Sequence, residues 1–79
     1  MEQRISQIVT EICGVEAEDI VADLDLFEAG FLDSFGTLQL LVELSGEFGL
    51  ALDPGDIARE EIASVEKIVE TIWKLKGAA

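Results

Sequence analysis

The sequence predicts an all-α fold, a small bundle of three main helices plus one short helix. Three observations carry that expectation. Apolar residues recur at i, i+3, i+4 and i+7 within 2–13 and 65–75, and gather in stripes at about 100° per residue within 34–48, the period of helices with a buried stripe. No stretch shows a strand pattern of β-branched and aromatic residues at a period of two. Cap-forming residues and glycines punctuate the segments: Asp33, Ser34 and Ser64 at the starts, Gly14 and Gly49 at the ends.

The first helix spans 2–13, with Ile5, Ile8, Val9 and Ile12 on its core face and Cys13 expected to be a small buried residue. Gly14 ends it. The connection 14–33 carries Ile20, Leu24, Leu26, Phe27, Phe31 and Leu32 among many acids. It is too apolar for a free linker, so it is expected to lie across the bundle and pin itself down, with a short helical turn near 17–20. Gly30 is expected to supply a backbone conformation that other residues resist.

The second helix, 34–48, follows two good N-cap candidates, Asp33 and Ser34. Beyond Gly49, Leu50 and Leu52 should pack inward and Asp53-Pro54-Gly55 should turn. Residues 56–62 read as a short third helix anchored by Ile57 and Ile62. Ser64 caps the last helix, which buries Val65, Ile68, Val69, Ile72 and Leu75 and leaves Trp73 half-buried at the margin. Residues 77–79 are expected to fray.

The second helix has two apolar faces. At about 100° per residue, Thr37, Leu40, Leu41, Leu44 and Phe48 share one stripe, while Phe35, Leu38 and Val42 gather on the opposite side. Either the helix is packed on both sides, or the second stripe is an exposed recognition surface for partner proteins.

Composition narrows the function. The chain of 79 residues is expected to form a single domain, residues 1–79. Seventeen acids against five bases give a net charge of −12, with no basic residue between Arg4 and Arg59. Nucleic acid is excluded as a partner, because phosphate contacts need lysine and arginine. A strongly acidic surface steers instead toward basic patches on proteins. No apolar run approaches the roughly 20 residues of a membrane span, so the protein is not expected to be membrane-embedded, and a cytoplasmic monomer is expected. There is one cysteine and no histidine, which leaves no Cys-His zinc site and no histidine base to activate Ser34 as a nucleophile; residues 19–30 lack the ligand order of an EF-hand, so no metal is expected. The chain is therefore not expected to be an enzyme. Ser34 is either a helix cap or a hydroxyl displayed for modification at a helix N-terminus, a natural seat for a phosphate.

Leu32-Asp33-Ser34-Phe35 at the head of the second helix resembles the Asp-Ser-Leu signature of acyl carrier proteins and peptidyl carrier domains. Length, helix order, acidity, Phe27-x-x-Gly30 and Glu47-Phe48-Gly49 extend the resemblance over nearly the whole chain. It implies a non-catalytic carrier whose Ser34 holds a covalent 4′-phosphopantetheine arm, with Asp33 its neighbour in the motif. The arm's thiol would bear an acyl or aminoacyl group as a thioester. The partners implied are a phosphopantetheinyl transferase, an adenylating ligase or other loading enzyme, and a downstream acyltransferase or synthase. Asp33, Phe35, Leu38 and Val42 fall where the family meets these enzymes.

Leu32-Asp33-Ser34-Phe35-Gly36-Thr37, followed by Leu40-Leu41, is most similar to the D-alanyl carrier subgroup, as is the place of Arg59. That subgroup supplies D-alanine for teichoic acid modification. Fatty-acid carriers usually have an acidic residue where Gly36 stands. The subgroup typically has tryptophan at Ile62 and Thr-Pro at Ser64-Val65, where this chain departs. A carrier for fatty-acid or polyketide synthesis is the alternative cargo reading. An acidic interaction module without a prosthetic group is the alternative of another class.

Overall fold

Three α-helices, α1 (Glu2–Cys13), α2 (Ser34–Phe48) and α3 (Val65–Gly77), alternate with two single 3₁₀ turns, Ala17–Asp19 and Arg59–Ile62, in the computed structural model, which describes residues 2–77. Among the described residues there is no strand. Helix α1 packs against both α2 and α3, and the Arg59–Ile62 turn packs against α3. Ile5, Ile8 and Val9 of α1, Leu40, Leu41 and Leu44 of α2, and Val65, Ile68 and Ile72 of α3 are buried in one core. An Arg4–Glu47 ion pair of 3.0 Å bridges α1 and α2 at the surface.

The helix ends follow from local chemistry. Gly14 and Gly49 adopt left-handed backbone after α1 and α2 (φ 69° and 65°), a conformation that costs glycine nothing. Ser64 Oγ accepts the Lys67 N–H at 3.2 Å and starts α3. Thr71, buried on α3, donates its hydroxyl to the Glu61 carbonyl at 2.8 Å. That bond satisfies a buried polar group and ties the second 3₁₀ turn to α3.

The connection 14–33 is pinned as the sequence demands. Leu26 is fully buried. Its N–H donates to the Ala63 carbonyl at 2.7 Å, and its own carbonyl accepts the N–H groups of Phe31 and Leu32 at 2.9 and 3.1 Å. Asp25 Oδ1 accepts from Phe27 and Glu28, both at 3.0 Å, and the Glu66 N–H reaches the Ala22 carbonyl at 2.9 Å. Gly30 sits at φ 79°, where a side chain would strain the backbone. The loop therefore reaches Asp33 along a fixed path.

Several expectations are corrected. The segment 56–62 is no α-helix: only Arg59–Ile62 coils, as a 3₁₀ turn. Trp73 is 62% exposed and Leu75 40% exposed, not half-buried and buried. Burial on α3 ends at Ile72, and its last turn runs past the core. Cys13 is only partly buried, because it ends α1 where the core thins. Thr37 and Phe48 are likewise only partly covered, so the core face of α2 narrows to Leu40, Leu41 and Leu44. Gly77 closes α3, and the expected fraying of Ala78 and Ala79 lies outside the described residues.

Leu26→Ala should be among the most damaging single changes. It opens a cavity at a fully buried site, and such truncations cost about 2–5 kcal/mol. Urea unfolding should show a large fall in midpoint with little change in slope.

Candidate functional site

Asp33 is the N-cap of α2. Its backbone is extended (φ −128°, ψ −173°), and its Oδ1 accepts the Gly36 N–H at 2.8 Å. Its carbonyl accepts both the Thr37 N–H, at 2.8 Å, and the Thr37 hydroxyl, at 2.7 Å. Of the two cap candidates, Asp33 takes the role, and Ser34 becomes the first helical residue. Ser34 is exposed, and among the described residues no hydrogen bond engages its hydroxyl. The Ser34 and Phe35 N–H groups belong to the first turn, which has no intrahelical acceptors, at the positive end of the helix dipole.

Gly36 lies behind the serine. A Cβ there would stand 3.2 Å from Leu32 Cδ1 and 3.3 Å from Asp33 Oδ1. Glycine at this position is thus a matter of space beside the cap rather than of unusual backbone.

Beside Ser34 opens a solvent-exposed cleft of about 650 Å³. Leu32, Asp33, Ser34, Thr37, Leu38 and Leu41 form one wall and floor; Phe27, Pro54, Ile57, Arg59 and Ile62 form the other. The Arg59 guanidinium lies 4.1 Å from the centroid of the Phe27 ring. Sequence reasoning missed this cleft and the Phe27–Arg59 pair. The two residues are far apart in the chain, and a list of side chains shows volume but not voids.

The second stripe of α2 is not packed. Phe35, Leu38 and Val42 are 76%, 51% and 70% exposed. They continue outward from Ser34 along one face, and Leu38 is shared with the cleft. Asp33 and the stripe therefore surround the serine on one side of the molecule.

Nothing near Ser34 equips it for catalysis. Cys13 approaches this end of the bundle. Burial first, and the negative charge of Asp33 second, push its thiol above the ordinary range, away from the thiolate that reacts. Among the described residues no three ligating side chains gather as a metal site. Nor, among the described residues, is any helix long and apolar enough to cross a membrane.

A helical bundle that presents one unengaged hydroxyl beside an open cleft has the form of a carrier module. The family described as "Phosphopantetheine attachment site" matches residues 3–72, and the chain belongs to that family. It is 33% identical to the D-alanyl carrier protein of Bacillus velezensis, over 95% of this chain and 96% of that one. It is 33% identical to the D-alanyl carrier protein of Streptococcus mutans, over 99% and 98%. It is 34% identical to the D-alanyl carrier protein of Lactococcus lactis, over 96% of each.

Membership fixes the general role. The protein is a non-catalytic carrier with a covalent 4′-phosphopantetheine, and carriers of this family are served by phosphopantetheinyl transferases and ligases. An interaction module without a prosthetic group is set aside. The site fits the group chemically: a free hydroxyl can be esterified without breaking a cap, and a phosphodiester formed there would sit at a helix N-terminus.

The division of labour between Asp33 and Ser34 is measurable. Ser34→Ala should leave the melting curve within about 0.5 kcal/mol of the parent. Asp33→Ala should cost about 0.5–2 kcal/mol through the lost cap. Equal effects of the two changes would contradict the capping geometry.

Proposed function

We propose that Ser34 carries the 4′-phosphopantetheine arm, and that the protein shuttles D-alanine on it between a loading ligase and an acyltransferase. The observation that carries the site assignment is the exposed Ser34 hydroxyl, left unengaged because Asp33 caps the helix. The cargo reading rests on the relatives, which are D-alanyl carrier proteins by name, together with the run Phe35-Gly36-Thr37. When bound, the group supplies a thiol at the end of a long flexible arm, on which the cargo rides as a thioester.

The chain's own residues present and steer. Asp33 fixes the first turn of α2 so that Ser34 projects from a rigid element. The helix dipole favours negative charge at that point. Phe35, Leu38 and Val42 offer apolar contact to each enzyme in turn, and the charge of −12 speeds encounter with basic docking patches. The partners in this reading are the transferase that installs the arm, an adenylating ligase that loads D-alanine, and an acyltransferase acting toward cell-envelope teichoic acid. The carrier works as a cytoplasmic monomer, with residues 1–79 as one carrier domain.

A second reading has one observation in its favour. The cleft beside Ser34 has apolar walls from Leu32, Leu38, Leu41, Ile57 and Ile62, and each methylene withdrawn from water is worth about 0.8 kcal/mol. A medium-length acyl chain would find partial cover there, as a fatty-acid or polyketide carrier requires. A D-alanyl group needs no such cover.

Expression beside a broad-specificity phosphopantetheinyl transferase should raise the intact mass by one phosphopantetheinyl group in the parent and not at all in Ser34→Ala. An unmodified parent would refute the site. Loading the modified protein with D-alanyl and with a medium-length acyl group separates the cargo readings. A higher melting temperature and shifted methyl signals for Leu38, Leu41 and Ile62 in the acyl form alone would favour the second.

Leu38→Glu and Val42→Glu should slow transfer to and from partner enzymes by an order of magnitude or so, the effect of about 1.4 kcal/mol, with melting nearly unchanged at these exposed positions. Loss of folding in both would mean that the stripe is structural.

A further inference from the structure

We propose that Arg59 is the anion-binding side chain of this site, pairing with the phosphodiester of the arm and drawing the arm's first segment onto the cleft. The inference rests on attachment at Ser34.

Three observations carry it. Arg59 and Ser34 line the same cleft, and Arg59 is the only basic residue that does. Of the other bases, Arg4 pairs with Glu47, and the three lysines lie on α3. In a chain of net charge −12, a phosphodiester beside Asp33 adds one more negative charge to an acidic surface, and Arg59 is the cation in the cleft that can offset it. Second, Arg59 is held in place by a cation–π contact that forms no ion pair. Its guanidinium stacks on the Phe27 ring at 4.1 Å. That ring is set by a loop whose backbone Asp25 fixes through the N–H groups of Phe27 and Glu28. Among the described residues no ion pair or side-chain hydrogen bond engages its N–H donors, the groups that bind phosphate oxygens.

Third, among the described residues no carboxylate lies within ion-pair distance of Arg59; the only such pair is Arg4–Glu47. Asp25, Glu28 and Glu60 border a shallow depression on the other side of the Phe27–Arg59 pair. Asp25 already accepts two backbone hydrogen bonds, while Glu28 and Glu60 are exposed. Arg59 thus borders both the acidic depression and the cleft beside Ser34. In the unmodified protein it is braced but unpaired, and the phosphodiester is the anion that modification brings to the cleft.

The experiment uses the full chain as parent, Arg59→Gln and Arg59→Lys, each before and after modification by the transferase. Intact mass confirms complete modification, so failure at Ser34 is recognised separately from failure at Arg59. Backbone amide spectra of the unmodified forms establish that each variant is folded. The readouts are the phosphorus resonance of the arm and the relaxation of its isotopically labelled methyl groups. In the parent the resonance should move with added sodium chloride as the pair is screened. In Arg59→Gln it should be displaced by more than its line width, insensitive to salt, with faster arm motion. Arg59→Lys should keep the salt response but recover only part of the parent's arm restraint, because lysine keeps the charge without the planar fork. Coincident phosphorus shifts and equal arm motion in parent and Arg59→Gln, both folded and modified, would overturn the proposal. So would an altered amide spectrum around Phe27 in unmodified Arg59→Gln with an unchanged phosphorus signal, since Arg59 would then be only a brace for the loop.

Discussion

The Leu26 backbone closes the longest connection of the molecule on itself and on the far end of the chain. Its N–H reaches Ala63, next to the start of α3, while its carbonyl gathers in Phe31 and Leu32, next to the start of α2. A connection of about 20 residues is long for a compact domain, and without such closure its entropy would leave the head of α2 loosely placed. The buried Leu26 side chain makes that closure cooperative with the core. The position of Asp33, and hence of Ser34, follows from it, because the chain between Leu26 and Asp33 has been turned and tied before α2 begins.

From that anchoring, α2 serves two environments at once. Leu40, Leu41 and Leu44 hold it to the core, while Phe35, Leu38 and Val42 are left to solvent on the other side. Exposed apolar groups would ordinarily invite self-association. Here they stand on a chain of net charge −12, whose mutual repulsion opposes contact between like copies and favours contact with surfaces of opposite charge. The stripe and the acidity are thus complementary: one supplies short-range adhesion, the other decides which surfaces approach.

Much of this was legible in the residues. The bounds of α2 could be read because Asp33 and Gly49 each solve a problem at a helix end that few residue types solve as well. The exposed character of Phe35, Leu38 and Val42 was legible as a choice between two alternatives, since periodicity shows that a helix has a second apolar face but not what lies over it. The shared role of Asp33 and Ser34 could not be divided from sequence, because both are competent caps and only the extended backbone of Asp33 selects it. Leu75 and Trp73 were misplaced for another reason: a helical wheel assigns faces but does not know where the partner helix stops. The Phe27–Arg59 contact joins residues distant in the chain and left no local pattern to read.

Gly36 has a consequence for coexistence with other carriers. A side chain here presses on a Leu32 methyl and on the Asp33 oxygen that caps α2. An acidic side chain, usual at this place in fatty-acid carriers, would also set a second carboxylate against the first. The crowding disfavours that charge here, independently of any partner's preference. Enzymes that recognise their carriers through an acid at this point find no handle on this one.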